Sequence, residues 1–157
     1  MAKHNTFTQE DNILIHTRML DAPRDLVWEV WTNPKHIKEW WGPNGFSLTT
    51  NSMSVAPGQT WDFIMHGMGR DWDNKIEYVE VKKPSLLSYK HSGKDADYDF
   101  TVTVLFEDME GKTLLTMKSV FKSKEIIAAL NRKVNAIEGG KQTLNRLGDY
   151  LNRLINE

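Results

Sequence analysis

Arg18, His66 and His91 are the residues of this 157-residue sequence whose chemistry and setting come nearest to a site. Arg18 lies between apolar neighbours, where an inward guanidinium could clamp a carboxylate through paired donors. An alternating strand instead turns it outward into water, and that is the expectation taken here. His66 and His91 fall near the ends of extended segments and titrate close enough to neutrality for acid–base work. Spacing assigns neither of them a partner.

Other arrangements fail on inspection. The five histidines, at 4, 16, 36, 66 and 91, have no paired spacing suited to zinc, and His36 with Glu39 reads as surface charge. Asp95, Asp97 and Asp99 begin like a calcium loop, but Phe100 occupies the glycine position and Phe106 the closing carboxylate position. That stretch is expected to be a solvated turn. "GMGRDW", from Gly67, lacks the third glycine of a dinucleotide loop and precedes no helical pattern. No metal and no cofactor are expected. The absence of cysteine excludes disulfides, thiolate sites and a cysteine nucleophile.

Twenty basic against twenty-one acidic residues leave a net charge of -1, so no global field draws the chain to nucleic acid. Neither a signal-peptide pattern nor a membrane-spanning apolar run is present, and a cytoplasmic location is expected. The composition, 39% hydrophobic and 26% charged, is that of an ordinary globular chain.

The elements that must position any site can be read from periodicity. "ILIHTRML" is a strand by its aliphatic and β-branched content. Pro23 then opens a short helix whose apolar side is Leu26, Val27, Val30 and Trp31. Asn33-Pro34 opens a second over 35–40, which Gly42-Pro43 ends. Between 46 and 121, alternating segments such as "TWDFIMHG" predict consecutive antiparallel strands. The chain closes with a long helix carrying Gly140, Leu144, Leu147, Leu151 and Leu154 on one stripe. The pair Gly139-Gly140 costs such a helix about 1 kcal/mol per glycine relative to alanine. Close approach to the sheet would compensate, and a break or kink is the alternative favoured. The expected architecture is α+β: a single domain over 1–157, with 1–11 as a poorly ordered extension and the sheet facing one long terminal helix.

Several stretches, in order, make the pattern specific: "LDAPRDLVWEVWTNPKHIKEWWGPNGF", "MSVAPGQTWDFIMHG", "NKIEYVEVKKPSLLSY", "FEDMEGKTLLTM" and "EGGKQTLNRLGDYL". They resemble the activator of heat-shock protein 90 ATPase homologue family, within the Bet v 1-like, START-like (SRPBCC) superfamily. The resemblance runs from about Ile13 to Leu154. It implies a helix-grip fold, a curved antiparallel sheet of six to seven strands around the terminal helix, with two short helices after the first strand.

Functionally the resemblance implies non-enzymatic binding of a small hydrophobic or amphipathic molecule, lipids included, between helix and sheet. Trp41, Trp61, Phe63, Met65, Tyr78, Tyr89 and Met117 are the expected lining, with Phe100 a further candidate. A solid core of the same residues is the alternative. The family also implies a chaperone-associated interaction module linked to stress response, with docking on the Trp40-Trp41 loop. The two-domain co-chaperones have an additional N-terminal domain for which this chain has no room. A polyketide-cyclase-like enzyme using Tyr78, Tyr89 or His66 is a third reading. Monomer and homodimer are both open. Adjacent helical residues point about 100° apart, so Trp40 and Trp41 cannot face the same core.

Overall fold

A computed structural model describes residues 5–93 and 99–156. In chain order the elements are β1 (Thr6–Glu10), β2 (Ile13–Leu20), α1 (Arg24–Thr32), α2 (Pro34–Ile37), β3 (Ser47–Met53), β4 (Thr60–Gly67), β5 (Arg70–Lys82), β6 (Leu86–Gly93), β7 (Phe100–Met109), β8 (Lys112–Val120), α3 (Lys124–Val134) and α4 (Ala136–Ile155). The strands make one antiparallel sheet in the order β1-β2-β8-β7-β6-β5-β4-β3. This is the helix-grip α+β arrangement, with one strand more than expected.

The additional strand is β1. Residues 6–10 pair with β2 from Thr6↔Thr17 to Glu10↔Ile13, so the segment expected to be a loose extension is instead the sheet edge. Its sequence, TFTQE, offers one apolar side chain, Phe7, whose ring packs 4.8 Å from that of His16. An edge strand needs no more, since only one of its sides is paired.

Tight turns join the long strands. Met68 and Gly69 both have positive φ, 55° and 76°, between the paired residues Gly67 and Arg70. Such mirror-image turns match the twist of the flanking strands. The "GMGRDW" stretch is therefore a hairpin. Register shifts between Thr50 and Ser52 on β3, and between Tyr78 and Glu80 on β5, bend the sheet locally. Asp95 and Asp97, expected in a turn, lie outside the described residues.

The helix α4 packs against β2, while α1 lies on β7 and β8. Leu144, Leu147 and Leu151 are fully buried beneath α4 and Leu154 is half-buried, as their spacing required. Full burial of each leucine contributes roughly 1.5–3 kcal/mol. The break between the terminal helices falls at Asn135, with left-handed φ and ψ of 54° and 50°, and not at the glycine pair. Asparagine visits that conformation more readily than most side chains.

Gly139 and Gly140 lie inside α4 and serve close approach. A Cβ at Gly139 would stand 3.2 Å from Pro43 Cγ, and one at Gly140 3.3 Å from the His16 ring.

Candidate ligand-binding site

The site begins with the tryptophan pair. Asn33 accepts a hydrogen bond from Lys35 N at 2.9 Å and Pro34 starts α2, so the chain turns sharply out of α1. The turn beyond α2 delivers both Trp40 and Trp41 into the core. Trp40 is fully buried; its Nε1 donates to the Val30 carbonyl at 3.1 Å, and its ring meets Trp31 edge-on at 4.9 Å. This indole fastens the turn to α1. Trp41, 8% exposed, joins the same core cluster, edge-on to Trp31 at 6.0 Å, to Trp61 at 5.2 Å and to Phe63 at 6.2 Å. The expectation that the two indoles could not face one core is thereby corrected: the chain leaves the helix after Ile37, and helical spacing no longer governs them.

Gly42 then reverses the chain with φ of 104°, and a Cβ there would come within 2.8 Å of Met65 Cε. The conformation favours glycine, while the Met65 methyl, at the end of a flexible side chain, could yield to a Cβ. The helix α4 grips the same turn. Arg146 Nη1 donates to the carbonyls of Gly42 and Pro43 at 2.9 and 3.0 Å, and Gln142 Oε1 accepts from Asn44 N at 3.1 Å. His36 Nδ1 and Tyr150 Oη share a 2.6 Å hydrogen bond one turn further along.

Between this turn, the first half of α4 and the sheet lies a cavity of about 260 Å³. Of the seven expected lining residues, Trp41, Met65, Tyr89 and Met117 border it, as does Phe100. Trp61, Phe63 and Tyr78 do not. Trp61 and Phe63 stack on each other at 3.8 Å behind Trp41, and Trp61 Nε1 donates to Thr50 Oγ1 at 3.1 Å. Tyr78 is buried edge-on to Tyr89, with ring centroids 6.3 Å apart. These three shape the wall from behind. Sequence reasoning missed Phe46, Trp72, Asn74 and Ser119, and left His91 unplaced, all of which line the space. Trp72 and Asn74 share the parity of Ile76 and Tyr78 on β5, a signal that was present.

The polar groups are few. His91 Nε2 lies 2.9 Å from Asn74 Oδ1, while Asn74 Nδ2 donates to the Trp72 carbonyl at 3.0 Å. Burial holds the His91 pKa at about 4, so the ring is neutral near pH 7. Burial, with Tyr78 nearby as a smaller cause, pushes the Tyr89 phenol far above its ordinary value of 10. Among the described lining residues Asp73 is the one acid, and none is a lysine or arginine.

Other singled-out groups lie elsewhere. His66 sits 36% exposed by its side chain, hydrogen-bonded through Nδ1 to Asp71 Oδ1 at 2.7 Å and through Nε2 to Thr49 Oγ1 at 2.9 Å. It does not border the cavity, so it does not meet Tyr89 there. Arg18 turns to α4, where it bonds Asn145 Oδ1 and, at 3.3 Å, the Lys141 carbonyl. It is therefore not the outward, solvated residue expected. Among the described residues, no group of three metal-ligating side chains is assembled, and no helix is long and apolar enough to cross a membrane.

Residues 21–152 match the family described as Activator of Hsp90 ATPase homolog 1-like protein. The chain belongs to that family. Its members' fold recurs in solved structures. Protein Ms6760 from Mycobacterium smegmatis is 21% identical, with a TM-score of 0.85 over 94% of this chain and 96% of that one. A protein from Arthrobacter aurescens is 20% identical, with a TM-score of 0.88 over 94% and 91%. DynU16, described as a protein in the dynemicin biosynthetic locus, is 20% identical with a TM-score of 0.69; the match covers 91% of this chain and 48% of that one. No curated protein shows significant sequence similarity to the chain. At these identities the structural likeness speaks for the fold and not for an activity.

Proposed function

We propose that this protein binds a small, largely apolar molecule in the space between α4 and the sheet, without transforming it. The observation that carries this reading is the cavity itself: about 260 Å³, walled by aromatic and methionine side chains, with a few polar atoms. That combination is the usual form of a small-molecule site, although the volume falls just below the ~300–1,000 Å³ of drug-sized pockets. A compact ligand of one to three rings suits it better than a long-chain lipid.

Catalysis has less support. Of the three alternative acid–base candidates, Tyr78, Tyr89 and His66, Tyr89 borders the cavity while Tyr78 and His66 do not, and His91 and Tyr89 are both held neutral near pH 7. Docking of a chaperone on the tryptophan loop loses its anchor as well, since Trp40 and Trp41 are both buried.

Native and denaturing mass spectra of gently purified protein, taken before and after incubation with a panel of two- and three-ring aromatics, test the proposal. A mass excess present in the folded ions and gone on denaturation is expected. Folded ions at the bare chain mass under every condition would overturn it.

A further inference from the structure

The hydrogen bonds around His91 fix which of its ring atoms is bare. A backbone carbonyl can only accept, so the Trp72 oxygen 3.0 Å from the Asn74 amide must face Nδ2. Asn74 Oδ1 is then the atom turned to His91, and Nε2, at 2.9 Å, must carry the proton that it donates. In a neutral imidazole the other nitrogen is an acceptor. His91 borders the cavity, and its Nδ1 is a lone pair with no hydrogen bond to any described residue.

Charge narrows the ligand further. With no lysine or arginine among the described lining residues, none of them would pair with the charge of an anionic ligand. Trp41, Trp72, Phe46 and Phe100, with Met65 and Met117, line the space with aromatic carbon and polarizable sulfur. Such walls favour flat rings.

We infer that the cavity selects uncharged, flat ring compounds bearing a hydroxyl, whose proton is donated to Nδ1 of His91. This rests on the binding function proposed above and assigns its specificity to the Trp72–Asn74–His91 chain. Burial keeps His91 unprotonated near pH 7, which preserves the acceptor. Asn74 is a positioning residue, since it acts by holding the proton on Nε2.

Calorimetric titration with 2-naphthol, 2-methoxynaphthalene and 2-naphthoate separates the possibilities. The naphthol should bind about tenfold more tightly than its methyl ether, the difference one well-made hydrogen bond supplies. The naphthoate should bind more weakly than either. In His91→Phe, which keeps a ring, the naphthol-to-ether ratio should fall to about one. The wild-type ligand series stands by itself should that variant fail to fold. Equal binding of naphthol and ether, or tightest binding of naphthoate, would overturn the inference and leave the cavity function standing. Binding of none of the three would remove both.

Discussion

Arg146 donates to the Gly42 carbonyl at 2.9 Å, and so ties the middle of the terminal helix to the turn that follows the tryptophan pair. The same Nη1 reaches the Pro43 carbonyl at 3.0 Å. One side chain on α4 thereby sets the position of the turn that carries Trp41 over the cavity.

Arg146→Met should therefore cost more than a surface substitution. The variant retains the aliphatic stem but leaves two backbone carbonyls without their charged donor, a loss of roughly 1.5–3 kcal/mol. Arg146→Lys should restore only part of it, because an ammonium offers its donors from a single point. Urea unfolding measures both, and tryptophan emission should shift to the red as Trp41 loosens. A methionine variant with the wild-type midpoint would show that the clamp does not matter.

The three glycines of α4 make an internally controlled comparison. Gly148 has only Leu20 Cδ2 near an added Cβ, at an ordinary 3.9 Å, whereas Gly140 has the His16 ring at 3.3 Å. Gly148→Ala should stabilise the protein by about 1 kcal/mol through helix propensity alone. Gly140→Ala should gain much less or lose stability, and Gly140→Leu should be clearly destabilised. Equal gains at 140 and 148 in thermal or urea unfolding would contradict the close approach of α4 to β2.

His16 predicts a pH dependence. It is 4% exposed, and neither ring nitrogen reaches hydrogen-bond geometry with a described residue, the Ile137 backbone being near without meeting it. Burial first, then the charges of Arg18 and Lys141, lower its pKa from 6.5 to about 4, with the Ile137 backbone opposing. His91 is lowered to about 4 by burial. Between pH 6.5 and 4 the unfolded chain binds more protons than the folded one at these sites. Stability is therefore full above pH 6.5 and falls as the pH drops through that window. From pH 7.5 to 5 the loss should be roughly 1–2 kcal/mol for each histidine. His16→Phe should halve the slope and raise stability at pH 7.5, because it removes unsatisfied buried nitrogens. A urea midpoint flat between pH 7.5 and 5 would refute this.

Much of this arrangement was legible in the residues. Leu144, Leu147 and Leu151 could be placed on one stripe, and Pro23 and Asn33-Pro34 open the two short helices as their chemistry dictates, although the second ends at Ile37 and not at Gly42-Pro43. Parity could not separate two kinds of inward residue on one strand. Phe63 and Met65 alternate identically, yet Phe63 stacks behind Trp41 while Met65 borders the cavity, a difference set by the bend of the sheet and the placement of α4. The glycine pair was ambiguous for a similar reason: its partners, Pro43 and His16, are about a hundred residues away in sequence. The proton on His91 depends on Asn74 across the β5–β6 pairing, and no spacing rule links them.

Methionine-methyl NMR during a titration with 2-naphthol tests the central claim most directly. Met65, Met68 and Met117 border the cavity, whereas Met19 and Met109 do not. Ring-current shifts should appear at the first three methyls together, saturate with one ligand, and spare Met19 and Met109. Shifts confined to Met109 or Met19, or no shifts up to the ligand's solubility, would contradict a ligand-binding space between α4 and the sheet.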